Sequence, residues 1–297
     1  MKTVKLLLIL LTLIGLSCKS AQKSYATQNN FKKEKNIRNT SKGKLFIIGG
    51  GKKSKLLLQE LINVSGLKED NFIAILPMAS EQPDSAAYYA KKEFVAIGIN
   101  PDKIKSFNFK KELQSKPQID SLKKATLIYI TGGDQNLFMD KVLYTSAYNA
   151  IHEAYKKGAT IAGTSAGAAV MSHKMITGIE HKHPGYTGEF KTIEAENFEI
   201  KEGLGLLPSA IIDQHFIYRM RMNRLLAVTL ENPDKKAIGI DESTAIIVQG
   251  DSAMVTGLSQ VILLENLNKE SIKTRNGFLG GKNINVNILL PGDKFKL

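Results

Sequence analysis

Thr160-Ile161-Ala162-Gly163-Thr164-Ser165-Ala166-Gly167-Ala168-Ala169-Val170-Met171 reads as a short strand that turns through a glycine-bounded serine into a helix of small residues. Gly-x-Ser-x-Gly between a strand and a helix is the nucleophile-elbow pattern: the glycines allow a sharp turn without Cβ clashes and leave Ser165 held out at the strand's end. The helix start beneath it offers backbone N–H groups and positive potential to a developing oxyanion. A plainer reading of the same residues is a helix start kept small for close packing. The strand–turn–helix setting favours the nucleophile.

Working outward, apolar runs of strand length alternate with segments of helical length. Lys44–Ile48, Phe72–Leu76, Ile104–Phe109 and Leu127–Thr131 are the strands; Ser54–Val64 and Ser85–Ile97 are helices between them. Continuous apolar strands separated by helices predict a mostly parallel sheet covered on both faces, a three-layer α/β domain. From Ala237 onward the runs shorten (Ala245–Gln249, Ala253–Thr256) and turns replace helices, which predicts an antiparallel C-terminal extension at the sheet edge. Ligand sites in such sheets lie at the carboxyl ends of the strands.

The composition is ordinary for a globular chain: 297 residues, 43% hydrophobic, 23% charged, 24 Gly and 8 Pro. One cysteine excludes an internal disulfide and a multi-thiolate zinc site. The formal net charge of +13 is unevenly placed, because residues 1–44 hold ten Lys/Arg against Glu34 alone. The body lacks the basic bias of a nucleic-acid binder, and no nucleic-acid partner is expected. Lys2 and Lys5 followed by apolar Leu6–Leu16 have the grammar of a signal peptide, too short for a spanning helix. Cys18 at the processing junction, in Gly15-Leu16-Ser17-Cys18, resembles a bacterial lipobox. The reading is a signal peptide over 1–17, a lipidated Cys18 with a polar tether over 18–43, and one domain over 44–297. The protein is then expected to be exported and to meet a membrane only through its anchor in the cell envelope, facing periplasm or exterior. The alternative is an ordinary cleaved signal with an incidental cysteine.

A serine nucleophile needs a base. Of the five histidines, His152, His173, His181 and His183 read as solvated or structural, whereas His215 follows the apolar run Ala210–Ile212 at another strand end. The run Ala237–Ile240 delivers Asp241-Glu242, and Glu242 is the candidate orienting acid, with Glu180 and Glu189 as alternatives. The resulting Ser–His–acid order differs from the Ser–acid–His order of an α/β-hydrolase. At Thr131-Gly132-Gly133-Asp134-Gln135 the paired glycines permit the Gly133 N–H to complete an oxyanion hole with that of Ala166, and Gln135 to bond a substrate backbone. Arg219, Arg221 and Arg224 cannot all share one helix face: at least one braces the fold, and the others are placed to grip a carboxylate. Gly49-Gly50-Gly51-Lys52-Lys53-Ser54 lacks the spacing of either a dinucleotide fingerprint or a phosphate loop, so no nucleotide cofactor is expected.

Together, GGDQ at Gly132–Gln135, GTSAGA at Gly163–Ala168, DQHFIYRMRMNRL at Asp213–Leu225 and GIDESTA at Gly239–Ala245 resemble the cyanophycinases. These are serine exopeptidases related to aspartyl dipeptidase, on a sheet similar to that of the class I glutamine amidotransferases. The resemblance runs from about Lys44 to the C-terminus. It implies nucleophile Ser165, base His215 and acid Glu242, with Gln135, Asp213, Gln214, Arg219, Arg221 and Arg224 in the substrate pocket. It also implies cleavage of cyanophycin, a poly-aspartate bearing arginine on each side chain, to β-Asp-Arg dipeptides, with no metal or organic cofactor. A general aspartyl or β-aspartyl peptidase is the alternative enzyme, and a non-catalytic peptide-binding lipoprotein the alternative class. A homodimer is compatible with the sequence.

Overall fold

The computed structural model describes residues 42–185 and 188–297. The signal-peptide and lipidation readings, Cys18 included, lie outside the described residues, as does nearly all of the tether. Among the described residues no helix is long and apolar enough to cross a membrane.

The first half of the chain builds the parallel sheet. In order it runs β1 (Lys44–Ile48), α1 (Lys55–Ser65), β2 (Ile73–Leu76), α2 (Pro83–Val95), β3 (Ile104–Ser106), α3 (Lys116–Leu122), β4 (Leu127–Ile130), α4 (Gln135–Val142), α5 (Ser146–Lys157) and β5 (Thr160–Thr164). Helix ends follow local chemistry. Ser54 caps α1 by accepting the N–H of Leu57, and Gly66 ends it in the left-handed conformation. Strand side chains alternate between two cores. Leu45 and Ile47 join the core beneath α3, α4 and α5, while Phe46 and Ile48 join the one beneath α1 and α2. All four are fully buried, and burying each contributes about 1.5–3 kcal/mol.

After β5 come α6 (Ala166–Ala169), β6 (Lys174–Glu180), β7 (Phe198–Glu202), β8 (Ala210–Gln214), α7 (Met222–Glu231) and β9 (Lys236–Ile240). The chain ends through β10 (Thr244–Gln249), β11 (Ser252–Gly257), β12 (Val261–Asn266), β13 (Lys273–Arg275), β14 (Phe278–Gly280), β15 (Ile284–Leu289) and β16 (Lys294–Lys296). The main sheet has the order β16-β11-β10-β1-β5-β4-β2-β3. Its β1-β5-β4-β2-β3 half is parallel, and β10, β11 and β16 extend it antiparallel beyond β1. This is the expected three-layer α/β architecture.

One expectation is corrected. The C-terminal strands do not all extend one sheet, because β9, β12 and β15 join β8 in a second, four-stranded sheet ordered β15-β12-β9-β8. Its β8–β9 pair is parallel and bridged by α7. Ile212, Ile238 and Ile240 point into the core shared with the main sheet, while Ile211 packs with Ala227 and Val228 of α7. β8 is thus buried between the core shared with the main sheet on one face and α7 on the other.

Candidate active site

Ser165 leaves β5 at φ 54°, ψ −112°, a conformation that non-glycine residues rarely adopt. The flanking glycines explain why the chain passes through it. A Cβ on Gly163 would stand 2.1 Å from the Gly167 carbonyl oxygen, and one on Gly167 would stand 2.4 Å from that of Ile130. Only bare backbone lets the turn close so tightly. Helix α6 is a single turn, shorter than the expected small-residue helix, so what it brings to Ser165 is its first N–H groups rather than a long dipole.

His215 follows β8 and Glu242 follows β9, and these parallel strands end side by side, with Gln214 opposite Ile240. The three side chains meet. Ser165 Oγ is 2.8 Å from His215 Nε2, and His215 Nδ1 is 2.5 Å from Glu242 Oε1. The imidazole is held in line between a hydroxyl and a carboxylate. Burial lowers its pKa below the ordinary value, with Arg219 and Arg221 pushing the same way, while the hydrogen bond and charge of Glu242 oppose them. The net direction is downward, which keeps the ring neutral and able to accept a proton near pH 7.

Neither alternative acid reaches the imidazole. Glu180 accepts from Asn197 Nδ2 at 2.9 Å, and Glu189 pairs with Lys191 at 3.1 Å. Of the other histidines, His183 is exposed and 2.6 Å from Glu194. His152 is half-buried rather than on the surface, with Nε2 2.8 Å from the Leu204 carbonyl.

The loop after β4 reaches the serine from the other side. A Cβ on Gly132 would lie 3.4 Å from Ser165 Cβ, so the Gly132–Gly133 peptide passes beside Ser165. Gly133 has φ +140°, and Asp134 N–H donates to Ala79 O at 2.8 Å, tying this loop to the one after β2. Between those loops and α2 opens a cleft of about 560 Å³ lined by Ser80, Glu81, Gln82, Tyr89, Gly133 and Asp134.

Five residues expected in the substrate pocket are engaged elsewhere. Gln135 is buried, and its amide nitrogen donates to the carbonyls of Ile176 and Thr177, pinning strand β6. Asp213 and Arg224 form a buried two-pronged ion pair, and the Arg224 guanidinium lies 4.6 Å from the centre of the Phe190 ring. Arg221 Nη1 donates to both the carbonyl and the side-chain oxygen of Gln214, each at 2.6 Å. These groups brace the β8–α7 junction, as expected of a guanidinium shielded from water by neighbouring side chains. Of the three arginines only Arg219 is exposed.

The glycine run after β1, which lacks the spacing of a nucleotide loop, cradles the imidazole. A Cβ on Gly50 would lie within 2.3–2.8 Å of the His215 ring, and one on Gly51 would lie 2.6 Å from Glu242 Oε2. The signal for the glycines was their place directly after an apolar strand, the same junction that singled out Ser165.

The sequence from 45 to 256 matches the model of peptidase family S51. The cyanophycinases of Trichormus variabilis and Geminocystis herdmanii are each 31% identical to the chain. The first aligns over 86% of both chains; the second covers 84% of this chain and 92% of its own. A peptidase from an acI-B1 Actinobacterium shares the fold at a TM-score of 0.64 and 21% identity, over 88% of this chain and 99% of its own. A putative peptidase E from Listeria monocytogenes does so at 0.52 and 19%, over 73% and 99%. A match across most of the domain, at strand ends that converge on one serine, leaves one assignment: the chain belongs to peptidase family S51 and is a cyanophycinase-like serine-type peptidase.

Proposed function

We propose that the protein cleaves cyanophycin to β-Asp-Arg dipeptides through an acyl-enzyme on Ser165. The observation that carries the mechanism is the aligned Ser165–His215–Glu242 contact. Ser165 Oγ attacks the scissile carbonyl carbon as its proton passes to His215 Nε2. Glu242 holds the Nδ1–H and stabilises the imidazolium. The Gly133 and Ala166 N–H groups face the oxyanion. When the tetrahedral intermediate collapses, the C–N bond breaks and the leaving amine takes the proton from His215. Water, deprotonated by His215, then releases the acid and restores the serine.

Two features support the substrate. Two relatives at 31% identity, matched along most of their length, are cyanophycinases. The site also offers both charges the polymer needs, with exposed Arg219 on the His215 turn and Glu81 and Asp134 in the cleft beside Gly133. A chain of aspartates carrying arginines presents carboxylates to the first and guanidinium groups to the second. The N-terminal reading places this activity outside the cytoplasm on a lipid anchor at Cys18, where polymer released by other cells would be met. Membrane release of the Cys18→Ser protein tests that placement.

The deciding experiment incubates the protein beginning after Cys18 with insoluble cyanophycin, with Ser165→Ala as control, and identifies the products by mass spectrometry. β-Asp-Arg from the intact serine alone is the expected result. No clearing, with hydrolysis of short Asp-containing peptides, would move the substrate to the aspartyl-peptidase class. Activity surviving in Ser165→Ala would overturn the mechanism.

A further inference from the structure

Asp241 stands immediately before Glu242, and its carboxylate is buried with both oxygens engaged. Oδ1 accepts the backbone N–H of Ile217 at 3.1 Å and of Tyr218 at 2.9 Å. Oδ2 accepts the Ser259 hydroxyl at 2.7 Å, and the Asp241 N–H donates to Gln260 O at 3.2 Å. One side chain therefore ties the turn after His215 to the end of β9 and to the loop between β11 and β12.

That turn needs an external hold. His215 and Met220 both sit at φ 49°, and its internal bonds run from Arg219 N–H to His215 O, from Met220 N–H to Ile217 O and from Arg221 N–H to Phe216 O, none of which uses the Ile217 or Tyr218 N–H. Arg219 lies inside it, one residue beyond the two N–H groups that Asp241 holds, and its charge reaches His215. The histidine is fixed separately: its N–H donates to Gly49 O at 2.7 Å and its ring contacts Glu242. The two neighbouring carboxylates thus divide the work, Glu242 holding the imidazole and Asp241 the segment that follows.

We propose that Asp241 is a positioning residue for substrate selectivity: by clamping the Ile217 and Tyr218 peptides it aims the Arg219 guanidinium at a substrate carboxylate. This rests on the role given to Arg219 above. A carboxylate that accepts two backbone N–H bonds is a strong anchor, because both bonds are charge-assisted. Without it those N–H groups turn to water and the turn relaxes, carrying Arg219 with it.

The test uses two serine-directed phosphonates, alike except that one carries a side-chain carboxylate, and measures the ratio of their labelling rates. Arg219→Ala and Asp241→Ala are each expected to lower the preference for the carboxylate probe about tenfold, and the double variant no further. Asp241→Asn is expected to keep part of the preference, since its amide oxygen still accepts both N–H groups. Ser259→Ala, which removes only the outer support, gives a smaller loss and keeps the test open should Asp241→Ala fold poorly. Slowing of both probes to the same extent in the Asp241 and Ser259 variants, or additive losses in the double variant, would overturn the role of Asp241. An intact preference in Arg219→Ala would instead overturn the reading of Arg219 on which it stands.

Discussion

Gly50→Ala puts the geometry of the site under the most direct strain. The added methyl would stand 2.3 Å from His215 Cε1 and 2.5 Å from Nε2, so the ring must retreat by about 1 Å to reach ordinary contact. It has nowhere equivalent to go, with Ser165 Oγ at 2.8 Å on one side and Glu242 Oε1 at 2.5 Å on the other. A 1 Å retreat stretches the Ser–His contact past hydrogen-bond range, and displacement of that size costs about 10²-fold in rate. Gly50 also has φ +114°, where alanine is strained by about 1–3 kcal/mol, or roughly 2–12 °C of melting temperature for a domain of this size. The assay is kcat on the cleaved substrate together with the rate of phosphonate labelling, alongside thermal unfolding. A folded Gly50→Ala protein with near-normal kcat would show that the glycine run does not set the imidazole position, and the cradle argument would be wrong.

Three further outcomes follow from other contacts. Arg219 helps hold the His215 pKa down, so Arg219→Ala should raise that pKa and move the acid limb of kcat/KM to higher pH, since the neutral ring is the active form; an acid limb that stays put or moves down refutes this. Glu242→Gln loses the negative charge that stabilises the imidazolium, and kcat should fall by about 10⁴ with the fold retained, as read from activity and near-UV circular dichroism. Arg224→Ala leaves Asp213 buried without its principal partner and should destabilise the protein by about 3–5 kcal/mol in denaturant titration, whereas a substrate-binding role would raise KM with stability unchanged.

The first half of the fold is legible because β1, β2 and β4 are apolar runs closed by glycine, proline or threonine, whereas the edge strand β3 is exposed beyond Ile104. Lys44–Ile48 is found at the bounds read from the sequence, and the other strands differ by a residue or more at their ends. The second sheet is not legible, since periodicity tells that Ala237–Ile240 is buried but not which strand it pairs with. Ser165, His215 and Glu242 stand out for one reason: each is reactive and lies two or three residues beyond an apolar run, at a strand's carboxyl end. The arginines are harder. Arg219, Arg221 and Arg224 share a string of six residues, and only packing separates the exposed one from the two that brace Gln214 and Asp213. The glycines after β1 fail as a motif because their role is to be absent, leaving room for another element's side chain.

The Ser–His–acid order has a structural cause. In this fold the nucleophile ends a strand of the main sheet, whereas the base and acid end two strands of the second. Chain order within the β8–α7–β9 unit therefore puts the histidine first. What joins the sheets is the turn after β1. Gly49 O accepts the His215 N–H, Gly50 O accepts the Ser243 N–H at 2.9 Å, and Gly49 N–H donates to Thr244 O at 2.9 Å. One backbone segment thus holds the chain just after Glu242 and at the histidine, while the next strand over, β5, carries the serine. The β8–β9 register matters for the same reason. With Gln214 opposite Ile240, His215 and Asp241 leave the sheet together, and Glu242 one step later can turn back onto the imidazole. A one-residue slip would exchange the faces of every side chain on the shifted strand. It would move the buried isoleucines out of the core along with the acid out of the site, so the packing that stabilises the second sheet also fixes the geometry of the triad.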